Sequence, residues 1–194
     1  MDTDEPLPVE FDELLAAEFN YIAQTAIQAN EDRARVSSFY LIAVGSVVAA
    51  LLGTQLLDIN SPLRTVNLIF SGLFALLTLM GSSTVMQLAR LRAAWYESAL
   101  AMNQLKDYMM SQNQTFKQAF RWKTSTLPSK HKKDSISYYQ AREVVLISSL
   151  TFGAATFFLQ RAFLSVGFLH FLLSILAVVA SFFVQLFIYQ RALR

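Results

Sequence analysis

Long runs without a charge divide this chain. Arg35 and Asp58 enclose 22 uncharged residues, Arg64 and Arg90 enclose 25, Glu143 and Arg161 enclose 17, and Arg161 and Arg191 enclose 29. Each run is apolar all round, whereas a surface helix of a soluble protein is apolar on one face. A helix needs about 20 predominantly apolar residues to cross a bilayer, within a range of roughly 17–25. The runs therefore predict transmembrane helices over 36–57, 62–89, 144–160 and 168–190. The third is short, and Ser165-Val166-Gly167 turns the chain ahead of the fourth. The apolar–polar alternation of barrel strands is absent.

Between the runs the pattern becomes periodic. Residues 1–8 read as a loose tail. From Val9, Phe11, Leu14, Leu15, Phe19, Ile22, Ala26 and Ala29 recur at spacings of three and four, which predicts an amphipathic helix over 9–35. Glu10, Asp12, Glu13 and Glu18 crowd its first turns, where the helix dipole favours negative charge. With no proline or glycine before Gly45, it runs straight into the first span. From Leu88 a seven-residue repeat places Leu88, Trp95, Met102, Met109 and Phe116 on one seam position. Leu91, Ser98, Leu105, Gln112 and Ala119 take the other, with polar interruptions at Ser98 and Gln112. Helix as far as residue 121 would reach about 48 Å past the second span. Trp122–Lys133 breaks the repeat with Pro128 and a basic run, and Asp134 or Ser135 can cap a third helix. The predicted fold is all-α: a polytopic membrane protein with four transmembrane helices in two hairpins. The 9–35 helix and a helical hairpin over 90–143, with a basic tip, are expected to form a three-helix stalk.

Composition sharpens this. Hydrophobic residues make up 54% and charged residues 15%, against roughly 25% charged in soluble domains. The net charge of +2 does not suggest a nucleic-acid partner. Cysteine is absent, which excludes disulfides, Cys-ligated metals and thiol catalysis. Fourteen of the 16 Lys and Arg residues fall in 90–143 or in the tails that flank the first and fourth spans, and only Arg64 and Arg161 fall in the two short turns. The positive-inside rule then places both termini and 90–143 in the cytoplasm. An acidic N-terminal segment is unlike the basic start of a secretory signal. Residues 1–35 are acidic and 90–143 basic, so packing one on the other pairs their charges.

Candidate chemistry is sparse. The four runs hold no Asp, Glu, Lys or Arg, the residues from which intramembrane relays and ion sites are built. His170 stands alone in the fourth span and reads as an interfacial residue bonded to a carbonyl or headgroup. No metalloprotease, hydrolase, P-loop or dinucleotide motif is present, so neither catalysis nor a cofactor or metal is expected. Gly45, Ala49 and Gly53 read as points of close helix approach, and Asn67, Thr78, Gln160 and Gln185 as interhelical hydrogen-bonding residues. In Asn30-Glu31-Asp32-Arg33-Ala34-Arg35, Glu31 and Arg35 are spaced for an ion pair at the headgroup level. Lys130, Lys132 and Lys133 form the basic tip, a candidate docking place for an anionic ligand. Tyr96, Leu100, Tyr108 and Met110, with Tyr21 and Ile27, lie off the predicted stripes and are the candidate contacts with a second copy or a membrane-protein partner. The reading is a non-catalytic membrane scaffold or accessory subunit that oligomerises or binds a partner through its cytoplasmic helices. The alternative is an oligomeric channel or pore.

At Asp32-Arg33-Ala34 an acidic–basic–alanine step leads a cytoplasmic helix into the first span. A closely spaced second span and long helices follow. This architecture, over residues 10–110, resembles the SLATT and Pycsar-type membrane effectors of bacterial defence systems. The resemblance implies an inner-membrane protein whose spans assemble and disrupt the membrane when the cytoplasmic part is triggered. The second hairpin over 144–190, and the lack of a separate nucleotide-sensing domain, depart from that pattern.

Overall fold

The computed structural model describes residues 11–53, 63–112, 115–164 and 167–193, and they are almost entirely helical. The helices are α1 Phe11–Gly53, α2 Leu63–Gln112, the single turn α3 Phe116–Ala119, α4 Ile136–Phe163 and α5 Phe168–Ala192, with a 3-10 turn at Thr124–Thr126. α1, α2, α4 and α5 are each long and apolar enough to cross a membrane. At 1.5 Å per residue, the 43 residues of α1 and 50 of α2 span roughly 65 and 75 Å, far beyond a hydrocarbon core of about 30 Å. The expected tail over 1–8, the first turn and Ser165-Val166 lie outside the described residues.

The helices follow one another in a closed-up row: α1 packs on α2 and touches α4, α2 packs on α4, and α5 packs on α4 and touches α2. Both sides of α2 and α4 are thereby covered, which explains why α1 and α5 leave wide apolar faces open. The α2–α4 contact is antiparallel and polar at its heart. Asn67 Nδ2 donates to the Arg161 carbonyl at 3.4 Å and Ser71 Oγ to that of Ala155 at 2.9 Å. The Thr78 and Thr151 hydroxyls share a hydrogen bond of 3.0 Å, and Ser148 Oγ donates to the Thr78 carbonyl at 3.3 Å. These bonds satisfy hydroxyls that would be costly to leave bare in an apolar setting. Toward the charged end of the row, Tyr40, Val85, Leu88, Ala89, Ala141, Val144, Val145, Tyr189 and Leu193 close into a core.

Three readings change. Gly45 and Ala49 face outward, and nothing lies within 4 Å of where a Gly45 side chain would stand. The close approach is made instead at Gly81, against Ser148 and Tyr40, and at Gly153, against Val178. α2 ends at Gln112, about 33 Å past residue 90. The chain then returns with only a 3-10 turn between Phe120 and Ser135; the third helix starts as expected, capped by Ser135, but what lies beside the outlying part of α2 is a strap of irregular chain. It is tied down by Asn103 Nδ2 donating to the Lys123 carbonyl at 3.2 Å and by the Thr124 N–H donating to Asp107 Oδ2 at 3.2 Å. Finally, the buried line of α2 in this region is Arg92, Ala99, Asn103 and Met110, one residue along from the predicted seam. The repeat presumes a single facing helix, whereas α2 is flanked by α1 and by the strap, so its covered sector lies between them.

Candidate functional site

The charged end of the row is where four helices and the strap converge. On α1, the line Ile22, Ala26, Ala29, Arg33, Ser37 and Tyr40 is buried at spacings of three and four, so helical periodicity carries Arg33 inward with its apolar neighbours. Arg92 is on the buried line of α2. The two side chains are 7% and 5% exposed. Arg92 Nη1 donates to Ser137 Oγ of α4 at 3.3 Å, and its guanidinium lies 4.6 Å from the centre of the Trp95 ring. Arg33 Nε and Nη1 are buried with no hydrogen-bond partner among the described residues. Among these residues the one ion pair is exposed, Arg35 with Asp32 at 3.3 Å, in place of the expected pair with Glu31. Among the described residues neither buried guanidinium therefore faces a carboxylate. Burial, and then repulsion from Arg92, hold Arg33 below its ordinary pKa, with Tyr189 opposing the shift. Burial does the same to Arg92, again opposed by Tyr189. Among the described residues two like charges are thus buried within reach of each other without a compensating carboxylate, a costly arrangement in a protein interior.

Beside Tyr189 is a cavity of about 220 Å³ lined by Lys130, His131, Lys132, Lys133, Tyr138 and Tyr189, among others. Tyr189 is fully buried and belongs at once to the cavity wall and to the surroundings of both arginines. The strap reaches this place because Ser135 caps α4, its Oγ accepting the Tyr138 N–H at 3.3 Å while donating to the Lys132 carbonyl at 2.8 Å. Lys130 folds back so that its Nζ lies 5.2 Å from the centre of the Tyr96 ring. The basic run is thus a lid beside the end of α5, not a tip at the far end of a stalk. Such an arrangement can attract and hold an anion.

No protein-family model matches this chain, nor does any curated protein or solved structure. Its reading rests on the geometry.

A second feature lies further along α1 and α2. The predicted seam residues Trp95 and Met102 meet Ala23 and Ile27 of α1 and Trp122 and Leu127 of the strap around an apolar groove of about 480 Å³. Of the candidate contact residues, Tyr108 is exposed, Leu100 is half-buried and Tyr96 lies beneath Lys130. Met110 is 5% exposed and so is part of the chain's own packing rather than a contact for a partner. On α1, Tyr21 and Ile27 are 64% and 57% exposed. His170 is at the opposite end of the row, where its Nδ1 accepts the Gly167 N–H at 3.1 Å; it caps α5 rather than donating to a carbonyl. Among the described residues no group of three His, Cys, Asp or Glu converges as metal ligands would.

The sequence singles out the lysines but not Arg33, Arg92 and Tyr189. The signal for Arg33 is present: it continues the Ile22–Ala26–Ala29 stripe by one more step of four. An arginine at the edge of a charge-free run reads first as a headgroup anchor, and that reading masks the periodicity.

Proposed function

We propose that this chain is a non-catalytic integral membrane scaffold that assembles with copies of itself through the helices projecting from the bilayer. The observation that carries this reading is the apolar groove between α1, α2 and the strap, flanked by exposed Ile27 and Trp122. Exposed apolar residues gathered around a groove on a helical projection offer a contact surface to a second copy. Both termini and 90–143 are on the cytoplasmic side in this reading, on the charge asymmetry of the sequence. The SLATT-like architecture adds a bacterial inner membrane as the setting. Native mass measurement of the purified protein in nanodiscs tests the assembly. More than one copy per particle is expected, with Ile27→Glu shifting the population to single copies while helicity is retained. Single copies of the unaltered chain would contradict it.

A second reading, an oligomeric pore, draws on a different observation. Gly45 and Ala49 lie outward on a helix at the edge of the row, and small residues of this kind let helices of separate subunits approach closely. Ion flux from liposomes holding the protein separates the two readings: release of a trapped ion favours the pore, and its absence at matched protein density favours the scaffold.

A further inference from the structure

We propose that the cavity beneath the strap binds a phosphate group, with Lys130, Lys132 and Lys133 as its outer cationic partners and the buried Arg33–Arg92 pair as a fixed positive field behind Tyr189. The inference begins with an imbalance. Two guanidiniums are buried within electrostatic reach of Tyr189, one of them with unpartnered Nε and Nη1, and no carboxylate among the described residues compensates them. Leaving a buried charge unpaired is strongly unfavourable, yet here the same Tyr189 also walls a cavity whose rim holds three lysines and His131. Three lysines thus line one small volume, with two buried arginines beyond its tyrosine wall.

The size and charge of that volume point to the ligand class. About 220 Å³ is room for a phosphate group and accompanying water. A carboxylate would supply one negative charge, whereas a phosphomonoester supplies about 1.5 to 2 and three strong acceptor oxygens. Lysines, with their long flexible stems, suit a point-charge interaction with such a group. The walls include Tyr189, Gln190 and Leu193, at the end of the apolar run of α5. If the chain spans a bilayer as proposed above, this is the depth of the headgroup phosphates. The phosphate can therefore come from an anionic phospholipid or from solution, and the chemistry of the site is the same for both. Occupancy would neutralise charges contributed by α1, α2 and the strap together, and so would clamp the projecting helices to the bundle.

The test uses the full-length protein in a non-ionic detergent, followed by thermal unfolding. It is titrated separately with inorganic phosphate, short-chain phosphatidic acid and, as a control, phosphatidylcholine of the same chain length. A ligand that binds only the folded state raises its melting temperature by mass action. A saturable rise with phosphate or phosphatidic acid, absent with phosphatidylcholine and with chloride at equal ionic strength, is the expected result. A rise with phosphatidic acid alone assigns the site to lipid, and a rise with inorganic phosphate assigns it to a free anion. In Lys132→Gln/Lys133→Gln the apparent affinity should fall by about ten-fold or more. Arg33→Met provides a readout that a structural arginine would not give: without ligand it should melt higher than the parent, because an uncompensated buried charge is gone, and it should lose the ligand response. No saturable rise with either probe would overturn the proposal. So would unchanged affinity in the double lysine variant, or an Arg33→Met protein that melts lower and still responds in full. Because the assay reads ligand binding by single particles, it can fail while assembly succeeds, and the reverse.

Discussion

Residue by residue, what decides the packing is which small positions face another helix. Gly81 is the clearest case. A Cβ there would lie 2.5 Å from Ser148 Cβ and Oγ and 2.6 Å from Tyr40 Oη, whereas one at Gly72 would meet nothing within 4 Å. Gly81→Ala should therefore destabilise the bundle by about 1–3 kcal/mol, the usual cost of overpacking, and Gly72→Ala should leave it unchanged or slightly more stable. Thermal unfolding of the two variants in the same detergent checks this, and equal melting temperatures would count against the α1–α2–α4 contact described. The sequence marks Gly45, Ala49 and Gly53 more visibly, because they recur every four residues. Periodicity reports that a face is smooth, not which neighbour covers it. Gly81 and Gly153 belong to no such repeat of glycines and alanines every four residues, and only the helix order reveals their partners.

Among the elements, the long helices were legible and their connection was not. Charge-free runs locate four apolar helices because composition alone decides what can lie in hydrocarbon. The heptad beginning at Leu88 likewise identifies α2 as a helix extending well past its apolar run. It misplaces the buried line by one residue and overruns the end of α2, since the strap that covers one side has no periodicity to read. Polar anchors hold this strap, and they are individually replaceable. Asp107→Asn weakens the acceptor for the Thr124 N–H, and Asn103→Ala removes the donor to the Lys123 carbonyl. Hydrogen bonds of these kinds contribute about 1–3 kcal/mol. Trypsin cleavage at Lys123 and Lys130–Lys133 should be faster in the double variant than in the parent, with helicity retained. An unchanged cleavage rate would mean that the strap is held by its lid contacts at Lys130 and Ser135 instead. A second prediction concerns that lid: Ser135→Ala removes the α4 cap and the tie to the Lys132 carbonyl together. The loss should be about 1 kcal/mol of stability and should add to the effect of Asp107→Asn, because the two sites share no partner.

For the whole molecule, the central claim is that four apolar helices cross a bilayer and that the helices and strap beyond them share one side of it. The candidate anion site depends on that arrangement in an instructive way. Lys130, Lys132 and Lys133 were recognisable as a basic run, but their neighbours come from Tyr96, Tyr138 and Tyr189, which no local pattern connects. The row order of the helices and the early stop of α2 bring them together. The most direct measurement uses the absence of native cysteine. Single cysteines placed at Asn60, Ser165 and Ser129 are exposed in intact cells to a membrane-impermeant thiol reagent. The account predicts labelling at Asn60 and Ser165 and none at Ser129 until the cells are permeabilised. Labelling at Ser129 with protection at Asn60 and Ser165 would contradict it.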